Sequence, residues 1–168
     1  MFMDMKTKTI LMLIILATIT FSLAAQTVFE KTVKGTTYVV TQNKDNRKGI
    51  KNKNGLFDKY FNEKFCPVYV KACNTTSKEL VGKIFSAERI KKLASTPDTN
   101  MPISLICSLS GDVVAVWFSS VNTDLITWDE VKSIEDAYLQ LKFVFDTSKC
   151  TDAKYCLISY PIIFYRLL

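Results

Sequence analysis

The side chains best suited to chemistry in this chain are two adjacent carboxylate pairs, Asp129/Glu130 and Glu135/Asp136, and five cysteines. Acid–base work on a glycosidic bond needs two carboxylates facing one substrate, about 5–10 Å apart. Sequence neighbours on a helix point in different directions, so capping and solvation explain both pairs better. The chain has no histidine, which removes the commonest general base and the Ser-His and Cys-His nucleophile pairs. A phosphate loop needs clustered glycines, and the five present are scattered. No catalytic set and no cofactor is therefore expected. The enzymatic alternative is a secreted hydrolase that acts on glycan or cell-wall material through its acidic residues.

Four of the cysteines fall into two close pairs, Cys66/Cys73 and Cys150/Cys156. Each pair would close a short loop as a disulfide, contributing ~2–3 kcal/mol. Two local bridges are the expectation, with long-range pairing between the groups, or four reduced thiols, as the alternatives. Cys107 lies on the apolar face of an alternating segment and reads as a small buried hydrophobe. The Cys-x6-Cys and Cys-x5-Cys spacings are not those of zinc knuckles, so no metal site is expected. Trp117 and Trp128 are expected in or beside the core rather than as a sugar platform.

Residues 1–25 read as a signal peptide. Lys6 and Lys8 make a basic start, residues 10–23 are apolar, and Ser22-Leu23-Ala24-Ala25 offers small residues for cleavage. No cysteine lies near that site, so a lipoprotein anchor is not implied. An uncleaved membrane anchor is the rival reading. Thr18, Thr20 and Ser22 dilute the run, which falls short of the usual ~20-residue span. A periplasmic or secreted protein without a stable membrane anchor is expected.

Residues 26–168 are enough for a single α+β domain. Their charge is uneven, with 15 basic and 7 acidic side chains in 26–100 against 5 and 8 in 101–168. The surplus peaks at residues 44–53, which hold a single aliphatic side chain. That run is expected to be a solvated loop. Lys44, Arg47, Lys48, Lys51 and Lys53 are the candidates if it contacts an anion. No aromatics interleave there to stack on bases, so no nucleic-acid partner is expected.

The elements that must position these groups follow from periodicity. Residues 28–41 alternate around Lys34-Gly35 and predict a hairpin. Apolar residues at 56, 57, 60, 61 and 65 predict a helix that Pro67 stops. Residues 68–70 suggest a short strand, and Ser86 is a plausible N-cap for a helix over 87–94. The 26–100 part thus holds a hairpin and two helices. Asn74-Thr75-Thr76 fits an N-glycosylation acceptor.

Past Met101 the order is strand (103–109), turn (Ser110-Gly111-Asp112), strand (113–118), helix and final apolar strand. The helix opens on Thr127-Trp128-Asp129-Glu130, a capping box. Val131, Ile134, Tyr138, Leu141 and Phe145 then recur at steps of three and four, predicting ~16 residues and ~24 Å. Lys132, Glu135, Asp136 and Gln140 fall largely on the opposite side. If the sheet is all antiparallel, its last strand pairs with its first, giving order 2-1-3 with an edge strand at 155–168.

These residues resemble the C-terminal domain of TonB-type energy transducers over roughly 101–168. The matching features are Ser110-Gly111-Asp112-Val113 at the turn, Val116 and Phe118 beyond it, Trp128-Asp129-Glu130 through Leu141-Lys142-Phe143, and Tyr160-Pro161-Ile162-Ile163-Phe164 at the end. Leu141 stands where that family usually has Trp. The chain lacks both the family's Pro-rich linker and its membrane-helix histidine, so energy transduction is not implied. The resemblance implies a sheet edge that accepts an extended partner segment as an added strand. Ser159, Tyr160, Ile162, Phe164 and Arg166 are the candidate contacts, and an envelope or secreted protein is the implied partner. The whole chain is also similar to small secreted proteins of gut Bacteroidetes. Small apolar-ligand binding between helix and sheet is a further alternative.

Overall fold

The computed structural model describes residues 27–42, 47–61 and 63–168. The predicted signal peptide, and Lys44 of the basic run, lie outside the described residues.

Lys34 and Gly35 both take positive φ, the twist that a two-residue hairpin requires. They join β1 (Thr27–Val33) to β2 (Thr36–Gln42). The basic run then departs from the expected loop, because Lys48–Asn52 forms β3 on the free side of β2. Ile50, its one aliphatic residue, is fully buried and pins the strand's register. β3 also pairs with β6 (Val113–Val121), and β6 with β5 (Ile103–Ser108). β8 (Tyr155–Ser159) closes the other side of β5. The six-stranded antiparallel sheet therefore runs β1-β2-β3-β6-β5-β8. The hairpin lies at the far end of the sheet from β8.

The helix predicted to reach Phe65 is one short turn, α1 (Phe57–Phe61). It covers one face of the sheet, where Phe57 packs with Ile106 and Ala115. Three longer helices lie among the described residues. α2 (Ser77–Ile84) opens on a capping box of Thr76 and Glu79, and α3 (Ala87–Ala94) on the Ser86 cap. α4 (Trp128–Tyr138) opens on Thr127 and Glu130 as predicted, with both reciprocal bonds formed. Val131, Ile134 and Tyr138 of α4 enter the main core with Leu105, Cys107, Val116 and Phe118.

α4 is 11 residues long, shorter than the predicted ~16. It stops because residues 139–141 tighten into a turn, with Gln140 donating to the Ala137 carbonyl and Leu141 to that of Tyr138. Leu141 is buried all the same. Phe143–Asp146 then form β7, which pairs with β4 (Tyr69–Cys73) in a separate two-stranded sheet. Phe145 sits on that strand rather than on the helix.

The expected local disulfides are not formed. Cys66 joins Cys150 instead, 84 residues away, with Cα atoms 5.3 Å apart, inside the range a disulfide bridges. Closing so long a loop contributes about 4–5 kcal/mol in the chain-entropy picture. The strands explain the exchange: Cys156 is fixed on β8 facing the core, whereas Cys66 donates its amide to the Tyr155 carbonyl and so lies beside the start of β8.

Glu130 ties α4 to α3. Its carboxylate accepts from Arg89 Nε at 2.7 Å and Nη2 at 2.9 Å, and from the Thr127 amide at 2.7 Å. Burial alone would raise its pKa; the Arg89 and Thr127 hydrogen bonds outweigh that and hold it below the usual glutamate value. A carboxylate with a depressed folded pKa stabilises the fold above its unfolded pKa and loses that contribution as pH falls through the folded value. The Glu130→Gln variant keeps capping capacity but loses the charge. Its deficit in denaturant melts is expected to be full above about pH 5 and to shrink steadily below about pH 4. A deficit independent of pH would show that the charge contributes nothing.

Candidate functional site

The last strand ends sooner than predicted, and the residues after it turn inward. β8 stops at Ser159, Ile162 exchanges backbone bonds with Met101, and Phe164–Arg166 form a short 3-10 turn. Ile162 and Phe164 are buried, Phe164 edge-to-face with Phe85 at 5.4 Å. Tyr160 is half-buried, and its carbonyl accepts from the Tyr138 hydroxyl at 2.9 Å. Of the five edge candidates, only Ser159 and Arg166 are exposed. Ile162 and Phe164 anchor the C-terminal segment to the core and cannot present it to a partner.

The backbone of β8 is differently placed. The Tyr155 carbonyl points outward, accepting from the Cys66 amide at 2.8 Å, while the Tyr160 amide points inward to the Ile103 carbonyl at 2.9 Å. Antiparallel ladders alternate, so Cys156 and Ile158 bond to β5 while Leu157 and Ser159 direct N–H and C=O outward. Among the described residues nothing pairs with the outward groups of Leu157 and Ser159. Phe65 already bridges to Tyr155 in parallel. One strand position is therefore taken and the next two are open. The side chain of Leu157 is exposed beside them.

β1, the other edge, is longer but carries Glu30 and Lys31. Glu30 pairs with Lys53 at 2.7 Å. Charges of this kind guard a sheet edge against added strands.

The basic run does not converge on an anion. Arg47 clamps Ser120 Oγ at 2.6 Å and the Asn100 carbonyl at 2.8 Å. Lys48 donates to Thr123 Oγ1, and Lys51 pairs with Asp58 at 2.7 Å. With Lys53 on Glu30, each described cation of the run is held by a group of the same chain.

The carboxylates are separated too. Asp129 lies 3.5 Å from Lys34, Asp136 pairs with Lys132, and Glu130 is held by Arg89. Glu135 is a correction, because it is 3% exposed rather than on the solvent side. It accepts from the Tyr38 hydroxyl at 2.6 Å and from Asn52 Nδ2 at 3.2 Å. Burial first, then this carboxylate, push the Tyr38 hydroxyl well above its ordinary pKa. β3 ends at Asn52 while β6 runs on, and a cavity of about 100 Å3 opens there, lined by Glu135, Leu56, Phe57, Val114 and Leu139.

A second cleft, of about 220 Å3, lies under α1 and is lined by Val39, Thr41, Lys51, Phe57, Phe61 and Trp117. Trp117 thus packs beside Phe57, at 5.3 Å, and Trp128 lies 6.5 Å from Tyr38. Both volumes fall below the ~300 Å3 at which pockets for small molecules begin. Asn74, the glycosylation candidate, uses its side chain to accept from the Lys142 amide at 2.9 Å.

An α+β fold on a mostly antiparallel sheet, with four helices, is what these elements define. No family model matches the chain, and no curated protein matches it. Among solved structures it is similar to the crystal structure of a DUF5043 family protein from Bacteroides uniformis. The TM-score is 0.57 at 13% identity, over 82% of this chain and 85% of the other. At that identity the likeness establishes the fold alone.

Proposed function

We propose that the chain is a non-enzymatic exported interaction module, which takes an extended segment of an envelope or secreted protein as an added strand beside β8. The observation that carries this reading is the outward-facing, unpaired backbone of Leu157 and Ser159. The resemblance of residues 101–168 to TonB C-terminal domains supplies the mode, with the return, first and last strands of that part in the order 2-1-3. Main-chain hydrogen bonds would provide most of the affinity, and Leu157 would provide side-chain contact. The two cavities lined above are small, which favours the edge over a ligand buried in either of them.

Leu157→Pro tests it. The substitution removes an outward N–H that β5 does not use, and proline is tolerated at such a position on an edge strand. Peptides selected from a random display library on the full chain are expected to slow amide exchange at Leu157 and Ser159. Their affinity should fall at least tenfold on the Pro variant, while its melting transition stays near wild type. Selected peptides that bind the Pro variant equally well, or that protect β1 instead, would sink the proposal.

A further inference from the structure

We infer that Cys107 and Cys156 are the partners of a second disulfide, formed across β5 and β8 by exchange with a low-molecular-weight disulfide and readily reopened by thiols. The two residues face each other in register. Both are fully buried, and Cys156 Sγ lies 3.7 Å from the Cys107 carbonyl oxygen. The alternation along β8 makes them a hydrogen-bonded pair, with Cα atoms about 5.5 Å apart. That separation lies within the range a disulfide spans. The Cβ atoms of such pairs stand about 5 Å apart, whereas a relaxed disulfide holds them near ~3.8 Å. Closure must therefore draw the strands together by roughly 1 Å, and the strain makes the bond easier to reduce. β8 is the strand able to yield, since it ends the sheet and its pairing is with β5 and the single bridge from Phe65.

The order of events follows from the environment of the two sulfurs. Contact with Cys156, then burial, push the Cys107 thiol up, while the same contact lowers that of Cys156. Cys156 also stands on the edge strand, whereas Cys107 lies between β6 and β8, so local opening of β8 exposes the Cys156 sulfur and makes it the attacking thiolate. It displaces one thiolate from the small disulfide and leaves a mixed disulfide on its own sulfur. Cys107 then gives up its proton and attacks the Cys156 sulfur, expelling the second small thiolate. The protein loses two electrons and two protons, and both appear in two molecules of the reduced small thiol. Cys73, half-buried on β4 and near enough to act on the charge of Cys107, remains the one free thiol.

The experiment uses the full chain, with oxidised glutathione as the probe. After incubation under native conditions, remaining thiols are alkylated in denaturant, and peptides are mapped without reduction. The number of alkylated cysteines is expected to fall from three to one, with a linked peptide joining Cys107 to Cys156. Titration with reduced glutathione should open that link before Cys66–Cys150. The Cys156→Ser variant should keep Cys107 and Cys73 alkylatable after the same oxidation. Three free thiols after oxidation, a stable glutathione adduct on Cys156, or a link from Cys73 to Cys107 would each overturn the inference.

Discussion

Gly111→Ala is expected to be the most damaging addition of a single methyl group among the glycines of the described fold. Gly111 sits in the β5–β6 turn at φ +97°, a conformation that side-chain-bearing residues rarely adopt. A Cβ there would lie 1.9 Å from the Phe143 carbonyl oxygen and 2.9 Å from its carbonyl carbon. Both are backbone atoms, so no side chain can swing aside. The Phe143 amide also donates to the Gly111 carbonyl at 2.9 Å, and Asp112 bridges to Lys142. Relieving the clash must therefore separate the turn from the start of β7, and Phe143 is buried in the main core. A loss of more than about 3 kcal/mol is expected, a large part of a small domain's stability. Gly35→Ala is the control. Gly35 has φ +81° with nothing within 4 Å of its added Cβ, so only the conformational cost of about 1–2 kcal/mol applies. Denaturant melts of both variants separate the two effects. Equal losses would mean that β7 does not dock on the turn.

The second large effect is expected at Leu141. This side chain is 3% exposed in the turn between α4 and β7 and belongs to the main core cluster. Leu141→Ala removes buried methyl groups and leaves a cavity that the turn's neighbours can fill only in part, at a cost of about 2–5 kcal/mol. Lys51→Ala should cost less than about 1 kcal/mol, because its ion pair with Asp58 is partly exposed and screened by water. Chemical denaturation of the two variants in one buffer gives both numbers. A mild Leu141 change beside a severe Lys51 change would reverse the assignment of core and surface.

Local signals are legible where the chain needs no distant partner to decide. The Lys34-Gly35 hairpin and the Thr127–Glu130 capping box form, and the strand predicted over 103–109 forms over Ile103–Ser108, with Leu109 already in the turn. Thr76-Ser77-Lys78-Glu79 carries the same capping-box spacing and locates α2, but it overlaps the Asn74-Thr75-Thr76 triplet, whose glycosylation pattern masks it. β7 has no such signal. Phe145 stands four residues after Leu141, so a helical stripe and a strand alternation fit equally well. What decides it is pairing with Tyr69–Cys73, some 70 residues upstream, and docking of Phe143 on the Gly111 turn. The site is hidden for the same reason. Glu135 lies at the margin of the α4 stripe, and nothing near it in sequence announces Tyr38 or Asn52. The cysteine pairing likewise depends on where β8 lands, and the open edge of β8 depends on where the C-terminal residues turn inward.

The joining of β3 to β6 bears on how the chain reaches its fold. Sixty residues separate the end of β3 from the start of β6, and β5 receives its second neighbour only when Tyr155–Ser159 is available. During synthesis, the β1–β3 meander emerges with one side of β3 uncovered, and it stays uncovered until β6 follows. Non-local pairing of this kind slows folding and lengthens exposure to misassociation. Chains released before residue 121 would have no settled sheet, and the two halves expressed apart should refold poorly compared with the intact chain.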